Sequence, residues 1–227
     1  MKTIISGLLG AAAAVLLLPA AVSAAEQSDL RWGYTPDGCY YLENVHNDEC
    51  DFTFEKGTDC RFSCEWGGGS SECLAEMGLK MPDTIRIDEI SDLYVYYYAE
   101  LCLDDCNWFG LHCKLQDDEK KGVSREIYTV EAWGTWRPGS GRQIASGYAD
   151  GRRYDYYSTE RFNQPTIEGT RDTEQFWCLR EQNPVTLNVP NHLNEMIDLQ
   201  VHLKNLLNAG AVRADEIPES VTLYLEN

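Results

Sequence analysis

Residues 126–136 read EIYTVEAWGTW, a stretch that predicts a β-strand because it is rich in β-branched and aromatic residues. Successive side chains of a strand point to opposite faces of the sheet. Glu126 and Tyr128 therefore share one face, and Ile127 and Thr129 share the other. The strand presents a carboxyl group and a phenol side by side, and such a pair can line a cleft.

Short segments of similar composition occur on both sides of this strand. Those that predict strands are 52–54, 61–63, 84–87, 93–98, 154–162, 173–180 and 221–225. Turn-forming residues separate several of them, at 67–71, 117–122, 138–141 and 165–169.

One segment predicts an α-helix, which starts after Asn191, a good N-cap residue, and runs to Leu207 before Gly210 stops it. Its apolar residues have the i, i+3, i+4, i+8 spacing of one helix face: Leu193, Met196, Ile197 and Val201. Many strands with one late helix predict an all-β fold, a two-sheet β-jelly-roll sandwich with one α-helix late in the chain.

The composition excludes several classes of protein. A chain of 227 residues suits a single β-sandwich domain, and its 13 Tyr and 6 Trp supply apolar area that a disordered chain lacks. The formal net charge of −18 opposes binding to nucleic acid or to an anionic membrane surface, because both are negatively charged. We therefore expect neither as a partner.

The first residues have the pattern of a secretory signal peptide. Lys2 supplies a positive start, 7–21 is an apolar run, and 22–24 offers small residues for cleavage. We expect 1–24 to be the signal peptide and 25–227 to be one exported, extracellular domain.

The cysteines fit this expectation. Eight of the 9 cysteines lie between Cys39 and Cys113, which predicts a disulfide-rich first half in an oxidising compartment. The pairing cannot be deduced from the sequence, and the odd count leaves one thiol free or bonded to another chain. No cysteine spacing has the paired pattern of a structural zinc site, so we expect no metal and no cofactor.

Four motifs follow one another in the second half of the chain. The first motif is 126–131 together with 134–136, and the second is 150–151 together with 154–157. The third is 161–170, and the fourth is 175–177, after which 191–194 follows. In this order they resemble glycoside hydrolase family 11, the endo-β-1,4-xylanases, with 161–170 similar to the family's thumb loop. The resemblance implies a two-sheet jelly roll with a cleft across it, and it is weaker in the first half of the chain.

The resemblance also implies a catalytic role for Glu126. Retaining glycosidases use two carboxyl groups about 5–5.5 Å apart, a nucleophile and an acid/base. By its place in the motif, Glu126 is identified as the nucleophile. The implied substrate-binding residues are Tyr128, Arg161, Pro165, Gln175 and Trp177, with Arg180 near the same cleft.

The acid/base has no counterpart at the position that the family implies, on a strand after the helix. Counting back from the last predicted strand reaches 209–211, where there is no acid. Counting forward from Asn191 reaches Ala214, which precedes Asp215 and Glu216. The chain is therefore expected to be a divergent member with a degenerate active site. Glu65, at a position where the family has Asn or Asp beside the acid/base, is the candidate substitute.

Two further positions depart from the family pattern. A cleft tyrosine on the strand before the nucleophile is replaced by His112, and the aromatic sugar platform of the early strands falls near Asn44. Because sugar recognition depends on aromatic rings, these changes bear on substrate binding.

Three functional hypotheses follow from these observations. The first is a secreted hydrolase of xylan or a related plant polysaccharide, with a proteinaceous xylanase inhibitor as a further partner. The alternative is a non-catalytic secreted binding or decoy protein on a xylanase scaffold, and a defensive protein that uses the fold for protein contacts is a third reading.

Overall fold

The structure is a computed structural model that describes residues 29–45, 52–66, 73–103, 107–118, 123–139, 141–166 and 169–226. The strands are β1 (Asp29–Tyr34), β2 (Tyr40–Val45), β3 (Phe52–Lys56), β4 (Phe62–Trp66), β5 (Cys73–Lys80), β6 (Tyr94–Leu101), β7 (Trp108–Asp118), β8 (Val123–Trp133), β9 (Arg142–Ala149), β10 (Arg152–Thr166), β11 (Gly169–Arg180), β12 (Asn191–Asp198) and β13 (Pro218–Glu226). One helix, α1, spans Leu199–Asn208, and a short 3₁₀ turn spans Ile87–Glu89.

Nine of these strands form one large sheet in the order β1-β2-β5-β13-β7-β8-β11-β10-β9. After β8 the chain passes to the edge strand β9 and returns through β10 to β11, which lies beside β8. The β8–β11 pair is consequently parallel, whereas the other described pairs of this sheet are antiparallel. The last strand, β13, inserts into the middle of the sheet, between β5 and β7.

A second layer covers one face of the large sheet. Strands β6 and β12 pair with each other, and their buried residues Tyr97 and Leu193 belong to the same core as Ile127 and Phe176 of the large sheet. Helix α1 adds Leu203 to this core. The predicted all-β sandwich with one late helix is therefore confirmed.

The predicted start of the helix was wrong. Residues 191–198 form strand β12, and α1 begins at Leu199, where the Asp198 side chain accepts a hydrogen bond from the Val201 amide. Leu193 and Ile197 are four residues apart, so they share a face in a helix and in a strand alike. Pairing with β6 decides between the two, because both side chains then face the core.

The strand predicted at 84–87 was also wrong. The Ile85 amide donates to the Pro82 carbonyl, which closes a turn, and a 3₁₀ turn follows. The Ile87 amide then donates to the Glu216 carbonyl, so this segment bonds to the connection before β13 and to no strand.

The first half of the chain contains a disulfide, Cys39–Cys60, with Cα atoms 5.4 Å apart. It joins the start of β2 to the turn before β4. Cysteines that carry thiols here are Cys64, Cys102, Cys113 and Cys178. Cys50 and Cys106 lie outside the described residues, as does the segment 1–28 with the predicted signal peptide. Within the described ranges, no helix is long and apolar enough to cross a membrane.

Candidate active site

Strand pairing aligns the residues of the candidate site in rows across the large sheet. Glu126 on β8 lies opposite Lys114 on β7, which lies opposite Ser220 on β13. The next row consists of Tyr128, His112 and Thr222. The sequence predicted that Glu126 and Tyr128 share a face, and the rows agree with that alternation. The central strand β13 brings two hydroxyl side chains, and no carboxyl group, into these rows.

The Glu126 carboxylate has a defined orientation. Its Oε2 accepts hydrogen bonds from the Tyr128 hydroxyl and from Gln175 Nε2, both at 3.0 Å. Gln175 reaches it because β11 runs parallel to β8 with these two residues in register. Two donors on one oxygen hold the carboxylate in a fixed direction, as a nucleophile requires.

Glu126 opens into a cavity of about 380 Å³ between the early strands and the centre of the sheet. The cavity is lined by Leu30, Trp32, Tyr40, Leu42, Glu76, Lys80, His112, Lys114, Ser124, Glu126, Glu219 and Ser220. It therefore holds three acidic and two lysine side chains besides the histidine, within the volume range of small-ligand sites.

Glu76, on β5, forms a buried ion pair with His112. His112 Nδ1 lies 3.0 Å from Glu76 Oε2, and the Thr222 hydroxyl donates to the same oxygen. Burial alone would raise the pKa of Glu76, but the charge and hydrogen bond of His112 hold it below 4.5. Burial would likewise lower the pKa of His112, but the Glu76 carboxylate holds it above 6.5. Each partner thus favours the charged form of the other, the carboxylate of Glu76 and the imidazolium of His112.

The third acid of the cavity, Glu219, is held by lysines. Lys80 Nζ lies 2.7 Å from Glu219 Oε1, and Lys114 Nζ lies 3.4 Å from its Oε2. Burial acts to raise the pKa of Glu219, but the two ammonium groups outweigh it and the pKa is lowered. Glu219 is consequently a carboxylate that balances lysine charge in the cavity.

Aromatic rings pack around Tyr128 beside the cavity. Tyr128 stacks on Trp177 at 4.6 Å and on His112 at 4.7 Å between ring centroids. Trp108 and Tyr224 complete this cluster. Such close packing fixes the Tyr128 ring, and through its hydroxyl it fixes the direction of the Glu126 carboxylate.

The structure brings together Glu126, Tyr128, Gln175 and Trp177 of the residues singled out from the sequence. Arg161 is exposed on β10, and Pro165 pairs through its backbone with Thr170 of β11. Glu65 is exposed on β4, opposite Thr53 of β3, and it is not among the side chains that line the cavity.

Arg180 lies on the other face of the sheet from Glu126. Its Nη1 lies 3.3 Å from Glu131 Oε2 and 2.8 Å from Glu195 Oε2, in a buried network between the layers. The expectation that Arg180 lies near the cleft was therefore wrong, because alternation along β11 turns it away from Gln175. Glu216 also lies away from the cavity, in an ion pair with the buried Arg125.

Most of the cavity residues were not singled out from the sequence, among them Trp32, Glu76 and Glu219. Trp32 is 63% exposed on β1 and can stack on a sugar ring. Asn44, the position that the family resemblance implies for the aromatic sugar platform, is 2% exposed. The alternation of 29–34 could have indicated Trp32. The position of Glu76 depends on the insertion of β13 beside β5, which no local pattern reveals.

Comparison with known proteins finds a family model that matches part of the chain. Residues 120–213 match the model of glycosyl hydrolases family 11. Endo-1,4-beta-xylanase 2 of Humicola insolens is 42% identical over 72 residues, which cover 30% of this chain and 32% of that protein. Endo-1,4-beta-xylanase 3 of Pyricularia oryzae is 27% identical over 177 residues, 77% of this chain and 70% of that protein. The chain thus spans about a third of the first curated relative and more of the second.

The fold is shared with solved xylanases. The structure of the family 11 xylanase from Neocallimastix patriciarum superposes with a TM-score of 0.68 and 21% identity, over 87% of each chain. The family resemblance that the sequence motifs predicted is therefore confirmed.

Proposed function

We propose that this chain, a divergent relative of the glycosyl hydrolases of family 11, hydrolyses xylan or a related plant polysaccharide with Glu126 as nucleophile. The observation that carries the proposal is the Glu126 carboxylate, which Tyr128 and Gln175 hold at the edge of a cavity of sugar-binding size. The relatives named endo-1,4-beta-xylanase support the substrate class.

The chemistry is that of a retaining glycosidase. Glu126 attacks the anomeric carbon and forms a covalent glycosyl-enzyme, which water then hydrolyses. The hydrogen bonds from Tyr128 and Gln175 keep the attacking carboxylate aligned with the anomeric carbon.

The substrate class follows from the cavity and from the charge of the chain. The exposed Trp32 ring offers a flat apolar face to a pyranose, and the cavity walls offer hydrogen-bonding groups at Glu76, Lys80 and Lys114. A neutral polysaccharide is not repelled by a net charge of −18. The apolar segment 7–21 supports export, so we propose that the enzyme acts outside the cell.

The first test is release of reducing sugar from soluble xylan. Glu126→Gln preserves the hydrogen bonds of the side chain and removes the nucleophile, so the rate should fall at least about a thousandfold. Glu160→Gln, at an exposed position of β10, is the matched control and should retain the wild-type rate. Equal rates for wild type and Glu126→Gln would contradict the assignment of Glu126.

One observation favours a second function, a non-catalytic carbohydrate-binding or inhibitor-decoy protein. In the rows that contain Glu126 and Tyr128, β13 carries Ser220 and Thr222, and the acid that β13 does bring to the cavity, Glu219, is bound to Lys80 and Lys114. Xylan binding that depends on Trp32, without sugar release from folded wild type, would support this alternative. Xylan turnover by the wild type would exclude a purely non-catalytic role.

A further inference from the structure

His112 is a buried imidazole whose two nitrogens have different surroundings. Nδ1 is held by the Glu76 carboxylate at 3.0 Å, whereas the buried Nε2 has no hydrogen-bond partner among the described residues. A buried polar atom without a partner costs free energy, so its presence calls for an explanation. An imidazole that is oriented through one nitrogen and unbonded at the other has the arrangement of a catalytic acid–base histidine.

The ring lies next to the candidate nucleophile. His112 stacks almost parallel on Tyr128, with centroids 4.7 Å apart and 9° between the planes. The Tyr128 hydroxyl donates to Glu126, and His112 and Glu126 line the same cavity. His112 and Glu126 therefore both border the space that a bound glycoside would occupy.

The other acids of the cavity are poorly suited to give up a proton. Glu76 is 3% exposed, and its Oε2 accepts from both His112 and Thr222. Glu219 is bound to Lys80 and Lys114. Both are carboxylates at the pH where His112 is protonated, so the imidazolium is the stronger candidate for a proton donor.

Charged groups reach His112 from several strands. Burial lowers the pKa of the imidazole, Glu76 of β5 and Glu126 of β8 raise it, and Lys114 of β7 lowers it. From β13, the ring of Tyr224 packs edge-on against His112, and Thr222 bonds to Glu76. The two carboxylates dominate, which stabilises the imidazolium in a buried position.

We propose that His112, positioned by Glu76, is the general acid–base that partners Glu126 in glycoside hydrolysis. This inference rests on the function proposed above and replaces the missing carboxyl group with an imidazole. Glu76 is a positioning residue, because it acts through His112.

The two steps balance as follows. As Glu126 forms a bond to the anomeric carbon, the bond from that carbon to the glycosidic oxygen breaks, and His112 Nε2 gives its proton to the leaving oxygen. The neutral imidazole then takes a proton from water, whose oxygen attacks the anomeric carbon and displaces Glu126. The second step restores the imidazolium and the free carboxylate.

The test compares two substrates, xylan and an aryl xylobioside with a dinitrophenol leaving group. Departure of dinitrophenolate needs no proton. The rate of xylan hydrolysis by His112→Gln should therefore fall about a hundredfold or more, whereas the rate of the dinitrophenolate burst should fall much less. Glu126→Gln should lose activity on both substrates. Equal activity of His112→Gln and wild type on xylan would overturn the role of His112 and leave that of Glu126 intact, whereas an inactive wild type on both substrates would overturn the proposed function itself.

The pH profile tests the pairing with Glu76. Activity requires protonated His112, so the rate should fall on the alkaline side as the imidazole loses its proton. Glu76→Gln removes the carboxylate that raises the His112 pKa and should shift this limb to lower pH. An unmoved limb would contradict the positioning role.

A third measurement covers the case in which a variant fails to fold, as judged by circular dichroism. In the wild type, the imidazole resonances of His112 should titrate by NMR at the pH of the alkaline limb. Titration of His112 far from that limb would overturn the proposal.

Discussion

The Glu76–His112 pair makes the stability of the fold depend on pH in two directions. The Glu76 pKa lies below 4.5, so its contribution is complete above that pH and is lost as the pH falls through the lowered pKa. The His112 pKa lies above 6.5, so its contribution is complete below that pH and is lost as the pH rises through the raised pKa. The pair therefore stabilises the protein most between these two limits.

Removal of one partner should expose this dependence. Glu76→Gln leaves His112 buried without its counter-charge, and we expect a loss of about 3 kcal/mol in the free energy of unfolding inside this window. The loss should shrink at lower and at higher pH, as measured by urea denaturation of both proteins from acid to alkaline conditions. A loss that is constant across the range, or one matched by the exposed control Glu160→Gln, would contradict the account.

Only some residues of the candidate site could be predicted from the sequence. Glu126, Tyr128 and Gln175 belong to motifs of the second half, and neighbouring strands bring them together. Trp32 and Glu76 come from β1 and β5, far away in sequence. They meet Glu126 only through the order of strands in the sheet, which side-chain alternation does not specify.

Among the strands, β5 and β13 approach unusually closely. A Cβ atom on Gly78 of β5 would lie 2.3 Å from the Val221 carbonyl oxygen and 2.7 Å from the Thr222 Cα. Both are backbone atoms of β13 and cannot move aside without separating the strands. These two strands carry Glu76 and Thr222, so the glycine controls the geometry around the buried pair.

We therefore expect Gly78→Ala to be strongly destabilising. The clash should cost about 3 kcal/mol or more in the free energy of unfolding and should lower activity as well, because Glu76 moves away from His112. Gly147→Ala is the matched control, since its Cβ would meet only the Asn205 side-chain amide at 3.1 Å. Similar thermal unfolding of Gly78→Ala and wild type would show that β13 can shift freely.

Element types were predicted well where composition and periodicity agree, as in β8, β10 and β11. The predicted start of the helix was wrong because the spacing of Leu193 and Ile197 fits both a helix and a strand. Only pairing with β6 decides between the two. The strand expected at 84–87 failed for a related reason: its β-branched residues find hydrogen bonds with the connection before β13 instead of a neighbouring strand.

On the scale of the whole molecule, the late strand β13 completes the sheet and the site together. Its insertion between β5 and β7 brings Ser220 to the cavity and Thr222 to the Glu76 carboxylate. The fold class could be predicted from short strand-forming segments, but the position of the last strand depends on contacts over more than a hundred residues. This insertion links the stability of the sandwich to the chemistry of the cleft.

The proposed role of Glu126 as the nucleophile of a retaining glycoside hydrolase can be tested by covalent trapping. A fluorinated xylobioside with a dinitrophenol leaving group slows the hydrolysis of the glycosyl-enzyme and lets it accumulate. Mass spectrometry should find one glycosyl group added to the folded, oxidised wild type, on the peptide that contains Glu126, and none added to Glu126→Gln. Absence of the adduct in the wild type, or its attachment to a different residue, would contradict the account.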